Sequence, residues 1–198
     1  MLDPALIAKC ADPSLKPAIV ETFIASAGSL DPLAITVVSQ GRLLLLPKPV
    51  DATEAISIIR RYVGHAVVRV GLTQMPAGVG AKTNDDLDPA LFDDCRNLQL
   101  GSALFAKVMR IVAKWYGDPH DEDAARVIFE DAVLAWKTGF FEGAKVFTAE
   151  EPDGGRPDAN AKPVENANQE PTVALPADKI DIGGAAMRID LSRLGAGN

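Results

Sequence analysis

Apolar residues along the first part of the chain recur with two spacings, and each predicts a different element. In SLKPAIVETFIASAG, residues 14–28, Ile19, Phe23 and Ile24 lie at helical spacing, Pro17 stands in a first turn and Gly28 ends the run. A helix from about Leu15 to Ala27 is predicted. In AITVVSQGRLLLLPKP, residues 34–49, two β-rich apolar runs flank a polar turn containing Gly41, the pattern of a hairpin. DATEAISIIRRYVG, residues 51–64, opens with Asp51 and Glu54 spaced as in a capping box and closes at Gly64, so a second helix is expected there. VVRVGLTQMPAGVG, residues 67–80, reads as an extended stretch followed by turns. Two long amphipathic helices are expected next, one ending at Gly117 and one at Gly139. The expected fold is mainly α within the α+β class, with one small β-hairpin.

The periodicity ends near residue 150. Residues 150–198 hold no aromatic side chain and five of the 14 prolines, with nine acidic residues against five basic ones. Such a composition buries too little apolar surface to offset chain entropy, so an acidic, flexible and disordered tail is expected there. Within it, DKIDIGGAAMRIDLSRL is richer in Ile, Leu and Met, and residues 179–194 are a candidate docking segment. The chain therefore divides into a folded body over 1–149 and a tail over 150–198.

Charge and hydropathy then narrow the function. A chain of 198 residues with 47% hydrophobic content supports one well-buried core. The net charge of −7 argues against direct nucleic-acid binding, which depends on Lys and Arg neutralising phosphates. No apolar run approaches the ~20 residues of a membrane span. The start, MLDPALIAKCADP, has neither a basic n-region nor an apolar h-region, and taken alone it favours a cytoplasmic location. His65 and His120 are isolated from each other and from the cysteines, so neither a metal nor another cofactor is expected. GVGAKTND, residues 78–85, lacks the spacing of a phosphate-binding loop and reads as a glycine-rich loop.

Four strips, in order, carry a resemblance: LDPLAI after the first helix, VGLTQ, CRNLQLGSALF and AVLAWKTGFFEG. Over roughly Cys10 to Ala144 they resemble the lysozyme-like domain of the lytic transglycosylases that accompany type IV secretion and conjugation systems. More narrowly, the whole chain resembles the TraH family of conjugal transfer proteins from rhizobial and agrobacterial plasmids. The resemblance implies a lysozyme-like fold, a glycan groove and a role in conjugative DNA transfer.

It also implies a lost acid. When Leu30, Asp31, Pro32, Ala34 and Ile35 are matched to the family strip, the position of the catalytic glutamate falls on Ala27. A transglycosylase uses that carboxyl group to protonate the leaving glycosidic oxygen and then to help the muramyl 6-hydroxyl close on the anomeric carbon. Alanine has no titratable group. Two nearby acids are candidate substitutes. Glu21 lies six residues earlier on the same helix, about 240° around and roughly 9 Å along the axis, where a solvated surface acid is the simpler account. Asp31 precedes Pro32, and a turn residue is the favoured account of it.

The remaining strips are partly kept. Gln74 matches a glutamine whose amide sits in the family's sugar groove, and Gly71 and Leu72 match the turn that presents it; a polar loop residue is the alternative. Asn97, Leu98, Gly101 and Ala103 match a helix-start strip, where Asn97 is also readable as a cap. Trp136 and Lys137 stand where the family has Tyr-Asn: an aromatic surface is kept, and a cation replaces the substrate-contacting amide. The expected groove set is Gln74, Asn97, Trp136 and Lys137. A helix-end core position is the commoner role for such a tryptophan. Cys10 and Cys95 fall where exported relatives often carry a bridging pair, and a bridge there would favour the periplasm.

The residues leave three functional readings. The favoured one is a non-catalytic accessory protein of conjugative transfer that binds peptidoglycan glycan strands or a protein of the conjugation machinery. The second is an active peptidoglycan lytic transglycosylase with a relocated acid. The third is a cytosolic adaptor or regulator of the transfer machinery.

Overall fold

Asp3 and Pro4 open the first helix in the chain, a short one that apolar spacing alone does not reveal. The Asp3 carboxylate accepts the Ala5 N–H at 2.9 Å, and Pro4 takes a position where no helical N–H is needed. This computed structural model describes residues 2–79, 83 and 86–152. All of them belong to a unit formed by residues 1–157. The expected acidic tail beyond residue 152 and its docking segment at 179–194 lie outside the described residues.

The order of elements is α1 (Pro4–Cys10), α2 (Pro17–Ala27), β1 (Ile35–Ser39), β2 (Arg42–Leu44), α3 (Ala52–Ile59), β3 (Val67–Val70) and β4 (Met75–Pro76), then a 3-10 turn at Pro89–Phe92. It continues with α4 (Asp94–Trp115), α5 (Glu122–Thr138), β5 (Phe140–Phe141) and β6 (Ala144–Lys145). The expected helices are present with shifted ends. Helix α3 stops at Ile59 rather than near Gly64, because residues 60–66 leave the helix in tight turns that carry the chain to an isolated bridge between Val63 and Ala66.

The β content exceeds the single hairpin expected from the sequence. A four-stranded antiparallel sheet has the order β2-β1-β3-β4. The β1–β2 hairpin turns at Gln40 and Gly41, both at positive φ. Beyond it, β3 pairs with β1 in the register Ile35↔Val70 and Val37↔Val68. β-Branched residues at these positions pack on the pleat, and Val37, Val68 and Val70 are buried. The described residues thus form a mixed helix-and-sheet fold.

Helices α2, α4 and α5 meet through an aromatic cluster. Phe23 stacks on Phe105 with ring centroids 3.9 Å apart, and Trp136 meets Phe23 edge-on at 5.1 Å. Cys10, at the end of α1, is bonded to Cys95 in the first turn of α4, with Cα atoms 5.1 Å apart. Farther along, Glu151 forms an ion pair with Arg110 of α4.

Candidate functional site

Helix α2 ends at Ala27, and the two residues after it are stitched to the turn between β3 and β4. Gly28 caps the helix, its N–H reaching Ile24 O at 2.9 Å, and the Ser29 N–H donates to Leu72 O at 2.8 Å. A Cβ at Gly28 would lie 2.4 Å from that same Leu72 carbonyl, so only glycine allows this approach.

The turn Gly71–Gln74 is held from several sides. Gly71 takes φ +70, and a Cβ there would strike the Asn97 amide at 2.2 Å. The Asn97 side-chain oxygen accepts from Thr73 N and from Thr73 Oγ1, both at 2.9 Å. Its Nδ2 donates to Leu91 O at 2.8 Å and Val70 O at 3.2 Å. Four bonds use the amide's hydrogen-bonding capacity in full. Gly101 of α4 leaves room for Thr73, whose Oγ1 would sit 2.1 Å from an added Cβ. Trp136 Nε1 donates to Thr73 O at 3.2 Å.

Arg69 supplies the remaining tie. Its guanidinium donates to Gln74 O at 3.2 Å, to Lys137 O at 2.9 Å and to Trp136 O, so one buried side chain joins the turn to the last turn of α5. It also lies 5.6 Å from the centre of the Phe147 ring. Burial pushes the guanidinium down to about 10, which leaves it a cation at neutral pH, facing carbonyls at a helix C-terminus where positive charge is favoured.

These ties open a cleft of about 420 Å³ lined by Ser26, Ala27, Gly28, Ser29, Ala34, Thr36, Gln74 and Lys137. Ala27, Gln74 and Lys137 are therefore brought to one place. Gln74 is 8% exposed and sits at φ +50, a conformation that a side-chain-bearing residue adopts at a cost and that tends to mark functional turns. Its Oε1 accepts from Thr36 Oγ1 at 2.6 Å and its Nε2 donates to Gly71 O at 3.0 Å. The bond to Gly71 O uses one of the two amide hydrogens.

Two expected groove residues are elsewhere. Trp136 is 0% exposed in the aromatic cluster, and Asn97 is 1% exposed beneath the turn. Neither lines the cleft. A full-sized indole at the core-facing side of α5 and an amide satisfied by four internal bonds support the site from behind. Glu21 and Asp31 do not line it either. Asp31 accepts the Leu33 N–H at 3.0 Å and pairs with Lys48 at 2.7 Å; that hydrogen-bonded ammonium holds its carboxyl below the usual carboxylate range. Ser26, Ser29, Thr36 and Arg69 are not singled out by the sequence. For Arg69 a signal exists: a lone charge among valines in an alternating strand.

A family model described as TraH_2 matches residues 1–196. The chain belongs to the TraH_2 family. One relative, "Uncharacterized protein y4dP" of Sinorhizobium fredii, is 56% identical over 198 residues, covering 98% of this chain and 99% of that protein. No solved structure matches the chain.

In this TraH_2 chain the cleft is lined by three hydroxyl-bearing residues, an amide and a cation, with small residues at Ala27, Gly28 and Ala34. It offers no carboxylate among its lining residues. Such a set can donate hydrogen bonds to a polar ligand and accept them from it. Among the described residues no group of three or more His, Cys, Asp and Glu side chains is arranged to hold a metal ion, and no helix is long and apolar enough to cross a membrane.

Proposed function

We propose that the chain is an accessory protein of conjugative DNA transfer whose body binds glycan in the Ala27 cleft without cleaving it. The observation that carries this reading is the position of Ala27: it ends α2 on the wall of a cleft shared with Gln74 and Lys137, where no lining residue has a carboxyl group. A lysozyme-like ancestry accounts for a helix end, a hairpin and a glutamine-bearing turn converging on one cleft. Membership of the TraH_2 family supports the transfer role.

The second reading, a lytic enzyme with a relocated acid, requires Glu21 or Asp31 to reach the cleft. Asp31 is engaged with Lys48 and the Leu33 N–H, and an acid held low in its pKa is a poor proton donor near neutral pH. The Cys10–Cys95 bridge bears on the third reading, because such bonds persist in oxidising compartments and are rare in the cytosol. A periplasmic site of action is the reading it favours.

The test is co-sedimentation of the purified, oxidised chain with insoluble peptidoglycan, alongside fractionation of cells that carry the transfer genes. Retention on peptidoglycan and recovery from the periplasm are expected. A chain that stays in the supernatant and in the cytosol would favour the adaptor reading.

A further inference from the structure

The cleft has a charge as well as a shape. Of its eight lining residues only Lys137 carries a charged side chain, and no carboxylate lies within ion-pair distance of that lysine among the described residues. A cation in the last turn of a helix is ordinary, since it complements the helix dipole. This one, however, stands on a cleft whose other polar groups are the Ser26, Ser29 and Thr36 hydroxyls and the Gln74 amide. Thr36 Oγ1 spends its proton on Gln74 and can still accept, whereas Ser29 Oγ, which accepts the Asp31 N–H at 3.1 Å, can still donate.

Vicinal sugar hydroxyls need partners that both donate and accept, which hydroxyls and an amide provide. An ammonium group only donates. Its natural partner is an acceptor that carries charge, and a charge-assisted hydrogen bond is roughly twice as strong as a neutral one. With no acid on the cleft wall, nothing there repels an incoming anion.

We propose that the cleft takes a carboxylate-bearing saccharide, with Lys137 holding the carboxylate and the Ser26, Ser29, Thr36 and Gln74 side chains meeting the ring hydroxyls. The proposal rests on the glycan-binding reading of the cleft and names the chemical class of its ligand. That carboxylate has two sources: a lactyl ether on an amino sugar, or the C6 carboxylate of a uronic acid. A peptide carboxylate is the competing class, and it leaves the hydroxyl wall without a purpose.

The experiment titrates the full-length, disulfide-bonded chain by calorimetry with four probes: a neutral N-acetylglucosamine oligomer, a peptide-free oligomer alternating N-acetylglucosamine and N-acetylmuramate, an oligogalacturonate and an acidic peptide. At least one acidic saccharide is expected to bind about tenfold or more tighter than the neutral oligomer, with the preference weakening as salt rises. Which one does so identifies the source. Lys137→Gln is expected to bring acidic saccharides to the neutral level, and Lys137→Arg to keep the preference. Equal binding of neutral and acidic saccharides, or a preference untouched by Lys137→Gln, overturns the anion proposal and leaves the glycan reading intact. Failure of every saccharide to bind overturns both, and tighter binding of the acidic peptide assigns the cleft to a protein partner instead.

Discussion

The side-chain oxygen of Asn97 accepts both the backbone N–H and the hydroxyl of Thr73, each at 2.9 Å, so that one buried amide on α4 fixes the turn that carries Gln74. Position 97 thus acts on the cleft from below. The same amide holds Val70 O and Leu91 O, and with Arg69 and Trp136 it leaves the Gly71–Gln74 turn little freedom.

Asn97→Ala removes four hydrogen bonds and leaves the Thr73 N–H and the Val70 and Leu91 carbonyls without this partner. Unsatisfied buried groups cost about 1–3 kcal/mol each, and partial relaxation reduces the sum. A loss of roughly 2–4 kcal/mol in urea unfolding is expected, with the denaturant slope unchanged. A loss below about 0.5 kcal/mol would mean that the turn holds itself.

The Cys10–Cys95 bond joins residues 85 apart in sequence and ties α1 to α4. Constraining the unfolded chain over such a separation typically stabilises a domain by about 2–4 kcal/mol. The double variant Cys10→Ser, Cys95→Ser is therefore expected to melt several degrees lower, and reductant should lower the melting temperature of the native chain while leaving the variant unaffected. An unchanged midpoint on reduction would show that α1 docks independently of the bond.

Lys48 holds the Asp31 carboxyl below its ordinary value through a hydrogen bond and charge. A depressed carboxylate pKa gives stability that is present above the unfolded value and lost as pH falls through the folded one. The Asp31 side chain is 35% exposed, so solvent screening keeps this contribution small. In an NMR titration Lys48→Gln should move the Asp31 midpoint upward. The outcome to watch for is no movement, which would assign the shift to the Leu33 N–H alone.

Ala27→Glu places a carboxyl group on the cleft wall. Ala27 is half-buried at a helix end facing open volume and a cation, so the chain should fold with its melting temperature within about 5 °C of native. Paired with Lys137→Asn it is the variant from which weak glycan cleavage is expected, well below that of an active enzyme, because small positioning errors are expensive in catalysis. A collapse in stability would place residue 27 in packed core.

Much of this arrangement is legible in the sequence where the signal is local. Pro17 and Gly28 bracket α2, Asp51 with Glu54 opens α3, and Gly139 closes α5 at φ +81. The pairing of β1 with β3 is not local: Val37 and Val68 meet across an intervening helix, and nothing in either run names the other. The site divides the same way. Ala27, Gln74 and Lys137 share a cleft, whereas Asn97 and Trp136, the latter next to Lys137 in the chain, turn inward. A residue's type does not reveal which side of a helix the cleft lies on. The role of Arg69 depends on one carbonyl from the nearby turn and two from α5, and only the folded chain brings them together.

Glycan binding without cleavage can be read in one reaction. Purified chain is incubated with peptidoglycan sacculi from neutral to mildly acidic pH, and the soluble fraction is analysed by mass spectrometry for 1,6-anhydro-muropeptides. The proposed non-catalytic role requires protein retained on the sacculi and no anhydro products above the level of a protein-free control. Release of anhydro-muropeptides at a rate comparable with an active transglycosylase, abolished by Glu21→Gln or Asp31→Asn, would contradict it.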